Sequence, residues 1–272
     1  MTNHSGKLII RDAKCTTKGS HPMNLNVISF NIRYTNDPDG HSIKERAPRL
    51  KQVISQYDPD LIGFQECCPI WMPHILEDYG KEYGIFNRYR AVNEEESTPI
   101  LWKKDKFECL DSGYFWLSDT PEKESKGWDK IGCYRMCVWV NLKHKETGRI
   151  ITYMNTHFGF GDQCQLDSAD LIRKYDLKIS DYPTLLTGDF NMRRTFPAYE
   201  KITAYYTDVN AATADDTRNT YHGYSLTENA DELIDYCFVD SAFTPLSYQR
   251  LDQMVDGKFP SDHYGIRVEI DV

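Results

Sequence analysis

At 272 residues the chain is long enough for one large domain or two small ones, and it buries enough surface to need neither disulfides nor a structural metal to hold a core. Its 32 lysines and arginines against 41 aspartates and glutamates leave a net charge of −9. That balance argues against tight non-specific binding to duplex nucleic acid, which needs basic side chains to displace counterions. No run approaches the ~18 apolar residues of a membrane span, and no charged-then-apolar leader opens the chain, so the expectation is a soluble, cytoplasmic protein without a membrane partner. Eight cysteines lack the short paired spacings of a zinc site and are expected as reduced thiols.

Residues 1–23 are polar and mostly aperiodic and read as an N-terminal extension, with Gly19-Ser20-His21 before Met23 resembling a cloning junction. Within them, Leu8-Ile9-Ile10 is short enough to be a single paired strand. Residues 24–272 read as a single domain. Asn24–Tyr34 is rich in β-branched and aromatic residues and predicts a strand. Leu50, Val53, Ile54 and Tyr57 at helical spacing predict an amphipathic helix, stopped at Asp58-Pro59, and Asp60–Gln65 predicts a buried strand. A second helix is predicted over Trp71–Tyr79. The middle of the chain predicts strands over Gly84–Arg90, Thr98–Lys103, Phe107–Phe115, Met136–Leu142 and Ile150–Asn155. Gln163–Ile179 follows as a helix, Thr184–Thr187 as a strand, Phe196–Tyr206 as a helix, and Ile234–Val239 and Gly265–Ile270 as late strands. Many strands with few helices, mixed in order, predict an α/β fold of two packed β-sheets with helices outside, not one doubly wound parallel sheet.

Polar residues stand directly at the ends of apolar runs. Asn31 follows Val27–Phe30, Glu66 follows Leu61–Gln65, Asn155 and His157 follow Ile150–Met154, Asp189 and Asn191 follow Leu185–Gly188, Asp235 follows Leu233-Ile234, and Asp262 and His263 precede the last strand. A lone strand-end aspartate is usually a turn or cap residue. A repeated set restricted to Asp, Glu, Asn and His is instead the inventory of a hard-cation phosphate site, since buried carboxylates need a partner. No Gly-rich phosphate loop, nucleophilic elbow or Cys–His pair competes with it.

Ser29-Phe30-Asn31-Ile32-Arg33, Phe64-Gln65-Glu66, Asn155-Thr156-His157-Phe158, Gly188-Asp189-Phe190-Asn191, Ile234-Asp235-Tyr236 and Ser261-Asp262-His263 occur in the order of a known family. With them the chain resembles the endonuclease/exonuclease/phosphatase superfamily, over essentially the whole of residues 29–263. The resemblance implies a DNase I-like four-layer α/β sandwich of two mixed sheets flanked by helices. It also implies Mg²⁺, with Mn²⁺ as a substitute, held mainly by Glu66, with Asn31 beside it and Asp262 near the ion. Asp189 is then expected to orient or deprotonate the attacking water and Asn191 to hold that water or a phosphate oxygen. Asp235 is expected to accept a hydrogen bond from His263, whose other nitrogen binds phosphate, and His157 to donate to the phosphate.

Gly113–Arg135 is similar to a bacterial subgroup of the family, and its aromatics read as packing; the site tyrosine found in abasic endonucleases has no unambiguous counterpart, with Tyr134 and Arg135 as the two candidates for its place. Phe158-Gly159-Phe160-Gly161 reads as a segment shaping the substrate mouth, and the loop around His222 is similar to one near the active site in relatives. Glu94-Glu95-Glu96 and Lys103–Lys106 read as solvated turns. The activity ranked first is phosphodiester hydrolysis of small or single-stranded substrates; phosphomonoester hydrolysis of a sugar, inositol or nucleotide phosphate is second, and an inactive phosphate-binding module third.

Overall fold

The computed structural model describes residues 23–128, 132–227 and 232–272. The sequence reading of residues 1–22 therefore lies outside the described residues, whereas Met23 is buried in the core.

Two six-stranded sheets face each other. The first has the order β13(Thr244–Leu251), β14(Gly265–Asp271), β1(Asn24–Asn31), β2(Leu61–Gln65), β6(Ile100–Lys103), β3(Tyr83–Phe86). The second has β11(Thr207–Asp208), β12(Asp235–Val239), β10(Thr184–Asp189), β9(Ile150–His157), β8(Met136–His144), β7(Phe107–Trp116). Among the described residues each sheet contains a single parallel pair, β1 with β2 and β9 with β10; the other pairings are antiparallel. Parallel neighbours need a crossover, and helices supply both: α1(Ile43–Ser55) joins β1 to β2, and α3(Asp162–Ile179) joins β9 to β10. The sheets thus repeat one β-α-β plan although the sequence carries no visible repeat.

Alternation within the strands builds three apolar layers. Val27, Leu61, Val138, Tyr153, Leu185 and Val268 fill the space between the sheets. Ile28, Phe30, Ile62 and Phe64 turn outward onto α1 and onto α2(Trp71–Tyr79). Met154, Leu186 and Phe238 pack on the far side against α3 and α4(Pro197–Thr203). The result is the four-layer α/β sandwich that the sequence predicted.

Polar side chains also tie the two sheets. Asn155 of β9 donates to Phe64 O (2.8 Å) and accepts from Gln65 Nε2 (2.8 Å) and Thr187 Oγ1 (3.1 Å), so this strand-end residue spans the sheets rather than facing substrate. Gly63 permits the approach: a Cβ there would lie 2.5 Å from the Tyr153 hydroxyl.

Some predicted boundaries move. The first strand ends at Asn31, not Tyr34, because Arg33 turns left-handed (φ 59°). Gly84–Arg90 divides into β3 and β4(Tyr89–Ala91), and β4 pairs with β5(Glu94–Ser97), so Glu94–Glu96 is a strand and not a solvated turn. β13, β11 and the short α5(Val209–Ala212) have no counterpart in the sequence reading. No helix among the described residues is long and apolar enough to cross a membrane.

Candidate active site

Both parallel pairs point their carboxyl ends to the same edge of the sandwich, the position at which parallel strands commonly receive ligands. In the second sheet His157, Asp189 and Asp235 lie side by side, with Asp189 in register with both neighbours. In the first sheet Asn31 is in register with Gln65, which places Glu66 one residue beyond. Asp262 and His263 arrive just before β14. The edge encloses a cleft of 430 Å³ lined by Glu66, His157, Asp189, Asn191, Asp262 and His263, among others. Asn31 and Asp235 sit behind this lining, bonded to it.

Backbone strain aims several of these groups. Arg33 (φ 59°), Glu66 (φ 60°) and Asn191 (φ 48°) are left-handed although none is glycine, a conformation that persists only where surrounding contacts enforce it. For Glu66 those contacts are a hydrogen bond from Tyr34 N to Oε2 (3.0 Å) and one from Asn31 Nδ2 to Oε1 (3.1 Å). For Asn191 they are bonds from its own N to Asp189 Oδ1 (3.0 Å) and from its Nδ2 to Phe158 O (3.0 Å). Buried Arg46 of α1 fixes the turn carrying Arg33 by donating to the carbonyls of Ile32, Arg33, Thr35 and His41.

Asp189 is the hub. Its Oδ2 accepts from Asn31 Nδ2 (2.9 Å) and faces His157 Nε2 at 3.4 Å and His263 Nε2 at 3.7 Å. Burial raises its carboxyl above the usual range, with the facing His157 and His263 rings opposing and Asp235 adding to the rise. His263 Nδ1 lies 2.9 Å from Asp235 Oδ2. Burial disfavours a charged ring there, but Asp235, Asp189 and Asp262 overcome it and push His263 up to about 10. His157 behaves oppositely: burial, then the charge of Arg135, lowers it well below the ordinary histidine value. Two buried histidines therefore face one carboxylate in opposite charge states. Burial likewise raises Asp262, held at its outer side by Arg33 Nε (3.5 Å).

Two groups of donors qualify for a cation. Among the described residues, Asp189, Asp235 and His263 bring ligand atoms within 4.8 Å of one another. However, Nδ1 of His263 and Oδ2 of Asp235 are already bonded to each other, and a ring protonated up to about 10 is a poor ligand. The carboxylates of Glu66 and Asp262 are the better fit, because hard oxygen donors on the cleft wall suit Mg²⁺ or Mn²⁺. Asn31 turns its amide nitrogen to Glu66 and Asp189 while its oxygen accepts from Arg33 N (3.0 Å), so it bridges the two acids from behind.

Several lining residues carry no strand-end signal. Arg90 and Glu96 reach the cleft from the β4–β5 hairpin, and Tyr221 flanks the His263 ring at 5.0 Å. Arg135 lines the cleft with its guanidinium over Phe160, 5.8 Å from the ring centroid, whereas Phe158 is core. His222 does not line the cleft: its ring packs between Phe259 and Tyr264, and its Nδ1 accepts from Tyr224 N. Trp116, from the aromatic 113–135 stretch, is buried and donates from Nε1 to Arg90 O (2.7 Å).

Comparison with known proteins places this geometry. No family model matches the chain. An uncharacterised protein of Acanthamoeba polyphaga mimivirus is 27% identical over 180 residues, 62% of this chain, and the chain spans 66% of that relative's length. A crystal structure of an endonuclease/exonuclease/phosphatase from Bacteroides vulgatus is 30% identical, with a TM-score of 0.83, covering 91% of this chain and 98% of that one. A mannosyl-6-phosphatase from Bacteroides thetaiotaomicron is 28% identical, with a TM-score of 0.81, covering 90% of this chain and 99% of that one. At 30% identity to the B. vulgatus protein over 91% of its length, the chain belongs to the endonuclease/exonuclease/phosphatase family of phosphoester hydrolases.

Proposed function

We propose that the protein is a divalent-metal-dependent phosphoesterase acting on a small phosphorylated molecule, with a sugar or nucleotide phosphomonoester ahead of a phosphodiester. The observation that carries the phosphoesterase reading is the convergence of Glu66, Asp189, Asp262, His157 and the Asp235–His263 pair on one cleft. The order of substrates reverses the sequence reading on the size of the cleft. A 430 Å³ cleft suits a small ligand. Likeness to a mannosyl-6-phosphatase points the same way.

Glu66 and Asp262 are the proposed ligands of Mg²⁺ or Mn²⁺, with Asn31 holding Glu66 in place. When bound, the ion supplies Lewis-acid polarisation of a phosphate oxygen. Asp189 orients the attacking water and takes its proton, an assignment helped by burial that raises its basicity. Asn191 holds that water or a phosphate oxygen at the cleft wall. His263, kept cationic by Asp235, donates from Nε2 to the oxygen that gathers charge, and His157 donates from the opposite side.

The test is hydrolysis of hexose 6-phosphates, nucleotides, inositol phosphates, p-nitrophenyl phosphate, bis-p-nitrophenyl phosphate and oligonucleotides with Mg²⁺ or Mn²⁺. Glu66→Gln, Asp189→Asn and His263→Ala are each expected to lower kcat/KM by roughly 10²–10⁴-fold. Wild-type rates in any of the three refute that residue's role. Binding of phosphorylated ligands without metal-stimulated turnover would return the binding-module reading.

A further inference from the structure

Arg90 has no role in the chemistry above, yet it is one of the largest fully buried side chains and lies against a cleft histidine. We propose that Arg90 is a positioning residue that dictates which ring nitrogen of His157 carries the proton, fixing the imidazole as an Nε2–H donor aimed into the cleft. The proposal rests on the phosphoesterase reading of that cleft.

The argument is one of donors and acceptors. Arg90 Nη2 stands 2.9 Å from His157 Nδ1, and a guanidinium has only N–H groups to offer. Nδ1 must therefore accept, which leaves the ring proton on Nε2. That nitrogen is the one facing Asp189, 3.4 Å from Oδ2. Glu96 Oε1 also approaches Nδ1, at 3.4 Å, but it is ion-paired directly with the same Nη2. The carboxylate thus grips the guanidinium, and the guanidinium grips the ring.

The hairpin carrying both residues is anchored where its position matters. Trp116 Nε1 donates to Arg90 O (2.7 Å), and Ser97, at the end of β5, exchanges backbone hydrogen bonds with Cys67, the neighbour of Glu66. His263 shows the alternative arrangement, with a carboxylate directly on Nδ1. If Glu96 held His157 as Asp235 holds His263, Asp189 would face two cationic rings. Interposing Arg90 keeps a donor on each side of Asp189 but only one charged ring.

Long-range ¹H–¹⁵N correlation of the histidine rings in the labelled full chain reads the tautomer, with His157→Asn identifying the resonances. The wild type is expected to give the Nε2–H pattern for His157. Arg90→Met leaves Glu96 as the nearest partner of Nδ1 and is expected to place a proton on that nitrogen, as an Nδ1–H or doubly protonated ring, with kcat falling roughly 10–100-fold, as for loss of other orienting partners. Arg90→Lys, which keeps a donor, is expected to retain the wild-type pattern and most of the rate. In the Arg90→Met background, Glu96→Gln supplies an amide donor and is expected to restore Nε2–H. An Nδ1–H pattern in the wild type, or an unchanged pattern in folded Arg90→Met, overturns the proposal. Should Arg90→Met not fold, the wild-type and Arg90→Lys spectra decide. A wild type that hydrolyses no phosphoester fails the functional reading and leaves the tautomer result standing; a wrong tautomer in an active enzyme fails only the role of Arg90.

Discussion

The ring of His263 is held between two acids, Asp235 on Nδ1 and Asp189 facing Nε2. Because these acids push its proton affinity up to about 10, the ring is a cation throughout the neutral range and can donate without waiting for a proton. The dependence of kcat/KM on this group is therefore expected to be flat from neutrality and to fall only as pH approaches about 10. Asp235→Asn removes the main raising charge, so the alkaline limb is expected to move down toward neutral pH. A limb that stays near 10 in Asp235→Asn would separate the alkaline fall from His263. The sequence displayed these residues well, because each ends an apolar run and buried acids at such places require a partner. It did not display Arg90 or Glu96, since charged residues in a short hairpin look the same whether they face water or a cleft.

Strand register does for the site what single residues cannot. Asp189 is aligned with His157 on one neighbour and Asp235 on the other, so any slip of β9 against β10 pulls the hub away from its ring. Gly188 protects that alignment, because a Cβ there would lie 2.4 Å from the carbonyl oxygen of Thr156, a backbone atom with little freedom to yield. Gly188→Ala is expected to destabilise by about 1–3 kcal/mol in chemical denaturation and to lower kcat more than KM. Unaltered kinetics in a destabilised Gly188→Ala would show that the register tolerates the shift. Long periodic elements were legible: α2 begins and ends at the predicted residues, and α3 starts one residue earlier than read. β13 was not, because it is an edge strand with Pro245 near its start and mixed exposure, so it lacks clean alternation. β11 and α5 are too short for any period to register.

Across the molecule the cleft is assembled from both sheets. The first brings Asn31, Glu66, Asp262 and His263, and the second His157, Asp189, Asn191 and Asp235. Burial raises the carboxyl of Asp262 and the nearby Glu66 adds to the rise, so a cation bound between these two acids should stabilise the folded chain. Mg²⁺ or Mn²⁺ at a hundredfold excess over its Kd is expected to add about 2.7 kcal/mol, read as a rise of several degrees in Tm. Glu66→Gln is expected to abolish most of that rise; an equal rise in the variant would move the ion elsewhere. With a net charge of −9, little retention on duplex DNA is expected at physiological salt, checked by a gel-shift titration.

The Asp235–His263 hydrogen bond joins the start of β12 in the second sheet to the residue pair before β14 in the first. An unfolded histidine holds its proton only up to about 6.5, whereas this one holds it to about 10. Docking of the two sheets at pH 8 is therefore expected to draw a proton from the solvent. The stability it contributes is complete below about pH 6.5 and drains away as pH rises through about 10. Refolding in a weak buffer at pH 8 is expected to turn the medium slightly alkaline, and Asp235→Asn to lose that component. An indicator dye would make the assembly of this active site visible as a change of colour.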